Sequence, residues 1–120
     1  MKNLLSNPNE INITGAIWIE RQDGSERFLG KGRIQLLEFI IEHGSISKAA
    51  KAMEMSYKRA WDLVNSMNSQ ALNPFVVTQT GGKSGGGTIV TAEGLQAIED
   101  YKALQTRFQA FLLHENQHLK

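Results

Sequence analysis

A chain of 120 residues with 41% apolar content can build one core, and a net charge of +1 makes it neither strongly basic nor acidic. The absence of cysteine excludes disulfides, thiolate catalysis and cysteine-ligated zinc. No apolar run approaches the roughly 20 residues that span a bilayer, and Met1–Glu10 lacks the apolar stretch of a secretion signal, so a cytoplasmic protein with no membrane partner is expected.

Residues 1–10 read as a lead-in, with Asn7-Pro8-Asn9 a turn signal. Ile11, Ile13, Ile17 and Ile19 then share one parity, which predicts a strand with one buried face. Gln22-Asp23-Gly24-Ser25 is a turn and Glu26–Leu29 a short return strand, so residues 1–30 are expected to form a β-hairpin arm. Gly30-Lys31-Gly32 breaks the chain before a helix over Arg33–His43. Its Ile34, Leu36, Leu37, Phe39, Ile40 and Ile41 predict burial on most sides. Gly44 follows as a left-handed cap, with His43 in the last turn.

Ser45 or Ser47 can cap a second helix running to about Met53, with Ile46, Ala49, Ala50 and Met53 inward. Glu54-Met55 makes a turn, and Ser56 caps a third helix from Tyr57 to about Gln70. Ala60, Val64, Met67 and Ala71 form its core stripe; Tyr57, Lys58, Trp61, Asn65 and Asn68 fall on or beside the other face. Two short helices joined by a tight turn, the second opening with polar and basic side chains, have the layout of a helix-turn-helix, whose second helix enters the DNA major groove. Trp61 fits either the core edge or the DNA surface.

Pro74 leads into strands over Phe75–Thr80 and Thr88–Thr91 that flank the run Gly81-Gly82-Lys83-Ser84-Gly85-Gly86-Gly87, a basic tip of the kind that forms a wing. Five glycines suit a tip lying against a DNA backbone, with Lys83 donating to phosphate. Thr91 caps a final helix from Ala92 to about Asn116, roughly 37 Å long. Its stripe is Leu95, Ile98, Tyr101, Leu104, Phe108, Phe111 and Leu112, more than a small core covers. A second copy is expected to bury Leu104, Phe108, Phe111 and Leu112. The expected fold is mainly α with small β: a winged helix-turn-helix over 31–91, with the hairpin arm before it and a long dimerisation helix over 92–120.

Charge distribution agrees with this division. From Lys31 to Thr91 seven bases stand against four acids, a surplus of +3 that leaves −2 for the two ends. Lys58 and Arg59 sit where the helix dipole disfavours cations by a few tenths to about 1 kcal/mol. A phosphate at that N-terminus explains them. Other constellations carry less. Gly82-Lys83-Ser84 matches the end of a nucleotide-binding loop, but Val77 occupies the position of its first glycine and strand, not helix, follows. His114 and His118 are four apart on a helix but have no third ligand. With no paired carboxylates and no Ser/His/Asp set, neither an enzyme nor a cofactor or metal is expected.

The stretch Gly44-Ser45-Ile46-Ser47, Ala49-Ala50, Ser56-Tyr57-Lys58-Arg59-Ala60-Trp61-Asp62, Asn65 and Met67-Asn68 resembles the DNA-binding domain of the ModE molybdate-responsive regulators. Thr80–Gly87 and the Leu95-containing helix are similar too, and the likeness covers about residues 31–115. It extends more distantly to the reading heads of LysR-type regulators. The resemblance implies a winged-helix homodimer on an inverted-repeat duplex operator. Ser45, Ser47, Ser56, Tyr57, Lys58, Arg59 and Lys83 would face DNA, joined by the outward-facing Trp61 and Asn65 and by Ser84 at the tip. Full-length members carry C-terminal molybdate-binding domains; with its end at Lys120 this chain is expected to hold no such module. The competing expectation is a winged-helix module that binds proteins rather than DNA.

Overall fold

The computed structural model describes residues 4–79 and 87–119. The order is a 3-10 turn at Pro8–Glu10, β1 (Ile19–Glu20), β2 (Arg27–Leu29), α1 (Lys31–His43), α2 (Ile46–Ala52), α3 (Tyr57–Gln70), β3 (Val76–Thr78), β4 (Thr88–Val90) and α4 (Ala92–Leu119). The expectation of a mainly α chain with small β holds: the strands form two antiparallel pairs, β1 with β2 and β3 with β4.

α1, α2 and α3 enclose the core. Leu36, Leu37 and Ile40 are fully buried on α1, as are Ala60, Val64 and Met67 on α3. The small side chains of Ala49, Ala50 and Ala60, all nearly inaccessible, let the helices approach closely. Leu63 joins this face although the expected stripe omits it. α1 starts two residues before the expected Arg33, because the Ile34 N–H already reaches the Gly30 carbonyl at 3.0 Å. Gly44 ends it at φ 67°, donating its N–H to the Ile40 carbonyl. Burial of α1 is less complete than its composition suggests: Ile41 is 49% exposed among the described residues.

β3 and β4 pair in register, Val76 with Val90 and Thr78 with Thr88. The Thr88 N–H donates to the Gly44 carbonyl at 3.0 Å, which ties the wing base to the α1–α2 junction. The tip over residues 80–86, with Lys83 and Ser84, lies outside the described residues.

α4 departs from its expected stripe. It packs through Gly94, Ala97, Ile98 and Tyr101, while Leu95 is 48% exposed. The cause is Gly94: a Cβ there would stand 2.6 Å from both the Phe75 carbonyl oxygen and Val90 Cγ1. The bare backbone therefore lies directly on the wing base and turns Leu95 outward.

The N-terminal segment differs more. Residues 11–18 are extended but form no strand, and Ile11 and Ile19 are exposed. Instead of pairing with another strand, the segment runs along α4. Asn116 grips the backbone of Ile13 from both sides, accepting its N–H at 2.6 Å and donating to its carbonyl at 3.1 Å. The Tyr101 hydroxyl donates to the Ile17 carbonyl at 3.0 Å. A helix surface meets an extended chain at intervals of several residues, so only Ile13 and Ile17 are half-covered.

The β1–β2 hairpin turns through Gly24 at φ 76° and docks on α3. Leu29 is buried and Phe28 packs on Phe75 with ring centroids 5.4 Å apart. Arg33 Nη1 donates to the Arg27 carbonyl and to Ser66 Oγ, each at 2.7 Å, and Ser66 donates on to Glu26.

Candidate nucleic-acid interface

The turn between α2 and α3 is closed by its own backbone. The Met55 N–H donates to the Ala50 carbonyl and the Glu54 N–H to that of Lys51, both at 3.0 Å. Closing it so tightly puts Glu54 at φ 56°, a left-handed conformation that a side chain adopts at a cost of about 1–2 kcal/mol. The turn fixes the angle at which α3 leaves α2.

Both candidate helix starts are capped as expected. Ser45 Oγ accepts the Lys48 N–H at 3.2 Å and Ser56 Oγ accepts the Arg59 N–H at 3.0 Å. Each hydroxyl keeps its own proton to give to a ligand. Ser47 is exposed in the first turn of α2.

On α3, Tyr57, Lys58, Trp61, Asp62 and Asn65 share one face through three- and four-residue spacings. Tyr57 is 57% exposed and meets Trp61 edge-on at 6.3 Å. Trp61 sits at the core edge, packed against the core and partly exposed on this face. Lys58 Nζ lies 2.9 Å from Asp62, with both side chains largely exposed. Such a pair is worth about 0–1 kcal/mol, so a phosphate can displace the carboxylate at little cost. The pairing is not among the sequence expectations, although Lys58 and Asp62 are four apart on one helix and the spacing alone signals it. Arg59 is set apart from Lys58. It turns to the flank of α3 and lines a cleft with Arg27, Arg33 and Trp18.

Asn68, expected on the outer face, instead holds the wing. Its Oδ1 accepts the N–H groups of Phe75 and Val76 at 2.9 and 3.2 Å, and its Nδ2 donates to the Val76 carbonyl at 2.9 Å.

The candidate dimer residues separate into two kinds. Phe111 is 55% exposed and Leu104 and Phe108 are half-buried, whereas Leu112 is already covered, 8% exposed, where the N-terminal segment crosses α4. His114 and His118 approach to 3.3 Å between Nε2 atoms, and no group of three His, Cys, Asp or Glu suited to a metal occurs among the described residues. No helix among those residues is long and apolar enough to cross a membrane.

No family model matches the chain. Among curated proteins, the molybdenum transport protein ModE of Azotobacter vinelandii is 45% identical over 84 residues, 70% of this chain and 31% of that protein. The DNA-binding transcriptional dual regulator ModE of Escherichia coli K12 is 44% identical over 85 residues, 70% of this chain and 32% of its own length. The transcriptional regulator ModE of Haemophilus influenzae is 40% identical over 85 residues, with 70% and 33% covered. The chain thus spans about a third of the length of the curated relatives it matches. Over those matched residues it belongs to the ModE-type transcriptional regulators.

Proposed function

We propose that this chain binds duplex DNA sequence-specifically as a homodimer and thereby regulates transcription. In this reading residues 31–91 contact DNA, α3 lies in the major groove, and Tyr57, Lys58, Trp61 and Asn65 face the bases or their flanking sugars. Arg59 serves a phosphate beside the groove, Ser45, Ser47 and Ser56 donate to backbone phosphates, and Lys83 and Ser84 of the wing tip do the same. Residues 1–30 act as an arm, and residues 92–120 join two copies through Leu104, Phe108 and Phe111. The reading needs no cofactor or metal and no catalytic step.

The observation that carries it is the first turn of α3. A capped, exposed helix N-terminus bears two cations that its own dipole disfavours, beside an exposed phenol and a carboxylate that releases Lys58 cheaply. Two of these relatives are named transcriptional regulators, one of them DNA-binding, and those names support the same reading.

Lys58→Ala combined with Arg59→Ala tests it. Duplex affinity should fall, by about 1–3 kcal/mol for each side chain that bonds a base edge, while thermal stability changes by no more than about 0.5 kcal/mol. Unchanged affinity would remove α3 from the interface. If the unmodified chain shows no salt-dependent duplex binding at all, the exposed Tyr57 beside the partly buried Trp61 fits a protein-binding module instead.

A further inference from the structure

We propose that the cleft between the β1–β2 hairpin and α3 is a binding site for a phosphate-class oxyanion, held by Arg27, Arg33 and Arg59. These three guanidinium groups come from β2, α1 and α3, and the fold gathers them around one cavity of about 260 Å³. That volume lies below the roughly 300 Å³ at which sites for drug-sized ligands begin, yet exceeds several times the about 30 Å³ of a water. It suits a small ion with part of its hydration.

The walls are built for those cations. Trp18 Cδ1 lies only 2.7 Å from where a Gly30 Cβ would stand, so the missing side chain admits the indole. The Arg27 guanidinium rests 4.2 Å from the centre of the Trp18 ring, which positions it without neutralising it. Arg33 spends Nη1 on the Arg27 carbonyl and Ser66, and the rest of its donor fork is not used by those bonds. Gly30 offers no side chain to cap α1, whose first turn opens on the same cleft at Gly32.

The charge balance points the same way. Against three arginines stands the one carboxylate of Glu26, which accepts from the Ser66 hydroxyl and offsets a single positive charge. Burial pushes the Arg33 guanidinium below its ordinary value; Glu26 opposes this, while Arg59 and Arg27 add to it. An oxyanion would satisfy all three cations, and bidentate guanidinium bonds are the geometry such ions accept.

The ion has two possible sources, a phosphate of the DNA backbone flanking α3 or a free oxyanion. The first rests on the proposed DNA reading; the second does not. Inorganic phosphate is titrated against the full chain at constant ionic strength, with chloride as the control. Saturable shifts of the Gly30 and Gly32 amide resonances and a rise in melting temperature are expected in the unmodified chain. The thermal rise should be lost in Arg27→Gln and kept in Lys51→Ala, an exposed position on α2 that does not line the cleft. Duplex binding is then measured against salt: if the DNA backbone supplies the ion, Arg27→Gln flattens the slope by about 1 and phosphate competes with the duplex. A lost phosphate response with an unchanged slope assigns the site to a free oxyanion. Should Arg27→Gln fail to fold, the amide titration of the unmodified chain decides. Absence of saturable shifts, together with an unchanged salt slope wherever the variant folds, overturns the proposal. A chain that binds no duplex defeats the DNA reading, while the phosphate titration still judges this one.

Discussion

Two helical glycines make opposite demands. A Cβ on Gly32 meets nothing within 4 Å, whereas one on Gly94 meets the Phe75 carbonyl and Val90 Cγ1 at 2.6 Å each. Alanine gains up to about 1 kcal/mol over glycine in a helix, less near an end. At Gly94 that gain is outweighed, because a backbone carbonyl cannot rotate aside as a side chain can. Gly94→Ala should cost about 1–3 kcal/mol, and Gly32→Ala should be neutral or stabilising. Urea unfolding of the two variants checks this; a Gly94→Ala chain as stable as its parent would mean that α4 slides freely over the wing base. This contrast is invisible in sequence, since both positions read as glycine in or beside an apolar pattern. Asn68 is hidden for a similar reason. Helical spacing places it off the core stripe, but its role depends on where β3 arrives, which no local pattern encodes.

At the scale of elements, α1–α3 and α4 are legible because period-3.6 patterning and serine caps act locally. Ser45, Ser56 and Gly44 each do in the structure what their residue types suggest. The segment over residues 11–18 misleads because alternating isoleucines signal a strand only if another strand is available to pair with. Here the neighbour is α4, and the polar anchors Tyr101 and Asn116 decide the outcome. Tyr101 gives this contact a pH signature. Burial raises its phenol pKa above the ordinary 10.0, so folding favours the protonated ring. That contribution is complete below the ordinary value and drains away as pH rises from there through the folded one. Stability of the parent should therefore fall more steeply above about pH 10 than that of Tyr101→Phe. Near neutrality Tyr101→Phe should cost about 0.5–1.5 kcal/mol for the missing bond to Ile17. Urea midpoints across the alkaline range test the first statement, and faster exchange of the Ile17-region amides tests the second. Parallel pH profiles would show that the phenol does not sense burial.

For the whole molecule, shape decides. The radius of gyration is 18.5 Å and the longest extent 66 Å, against about 14 Å expected for the radius of a compact chain of this length. The excess is α4, whose 28 residues extend well beyond the three-helix core. The core covers its first three turns, the N-terminal segment covers Leu112, and Phe111 is left 55% exposed beside the stacked Phe108. An aromatic side chain left in water forgoes about 1.5–3 kcal/mol, which a two-fold contact along α4 recovers twice, once per copy. Two copies joined there would carry two α3 helices, spaced to reach successive major grooves about 34–36 Å apart, and the matching site would be an inverted repeat. Phe111→Asp is the sharper test than a change at Leu112, because Phe111 supports little within its own chain and the variant should fold. It should sediment as a monomer at micromolar concentration and lose affinity for a full site far more than for a half-site. If the unmodified chain is itself monomeric under those conditions, the two-fold contact and the inverted-repeat site both fall, while the assignments on α3 stand or fail on their own measurements.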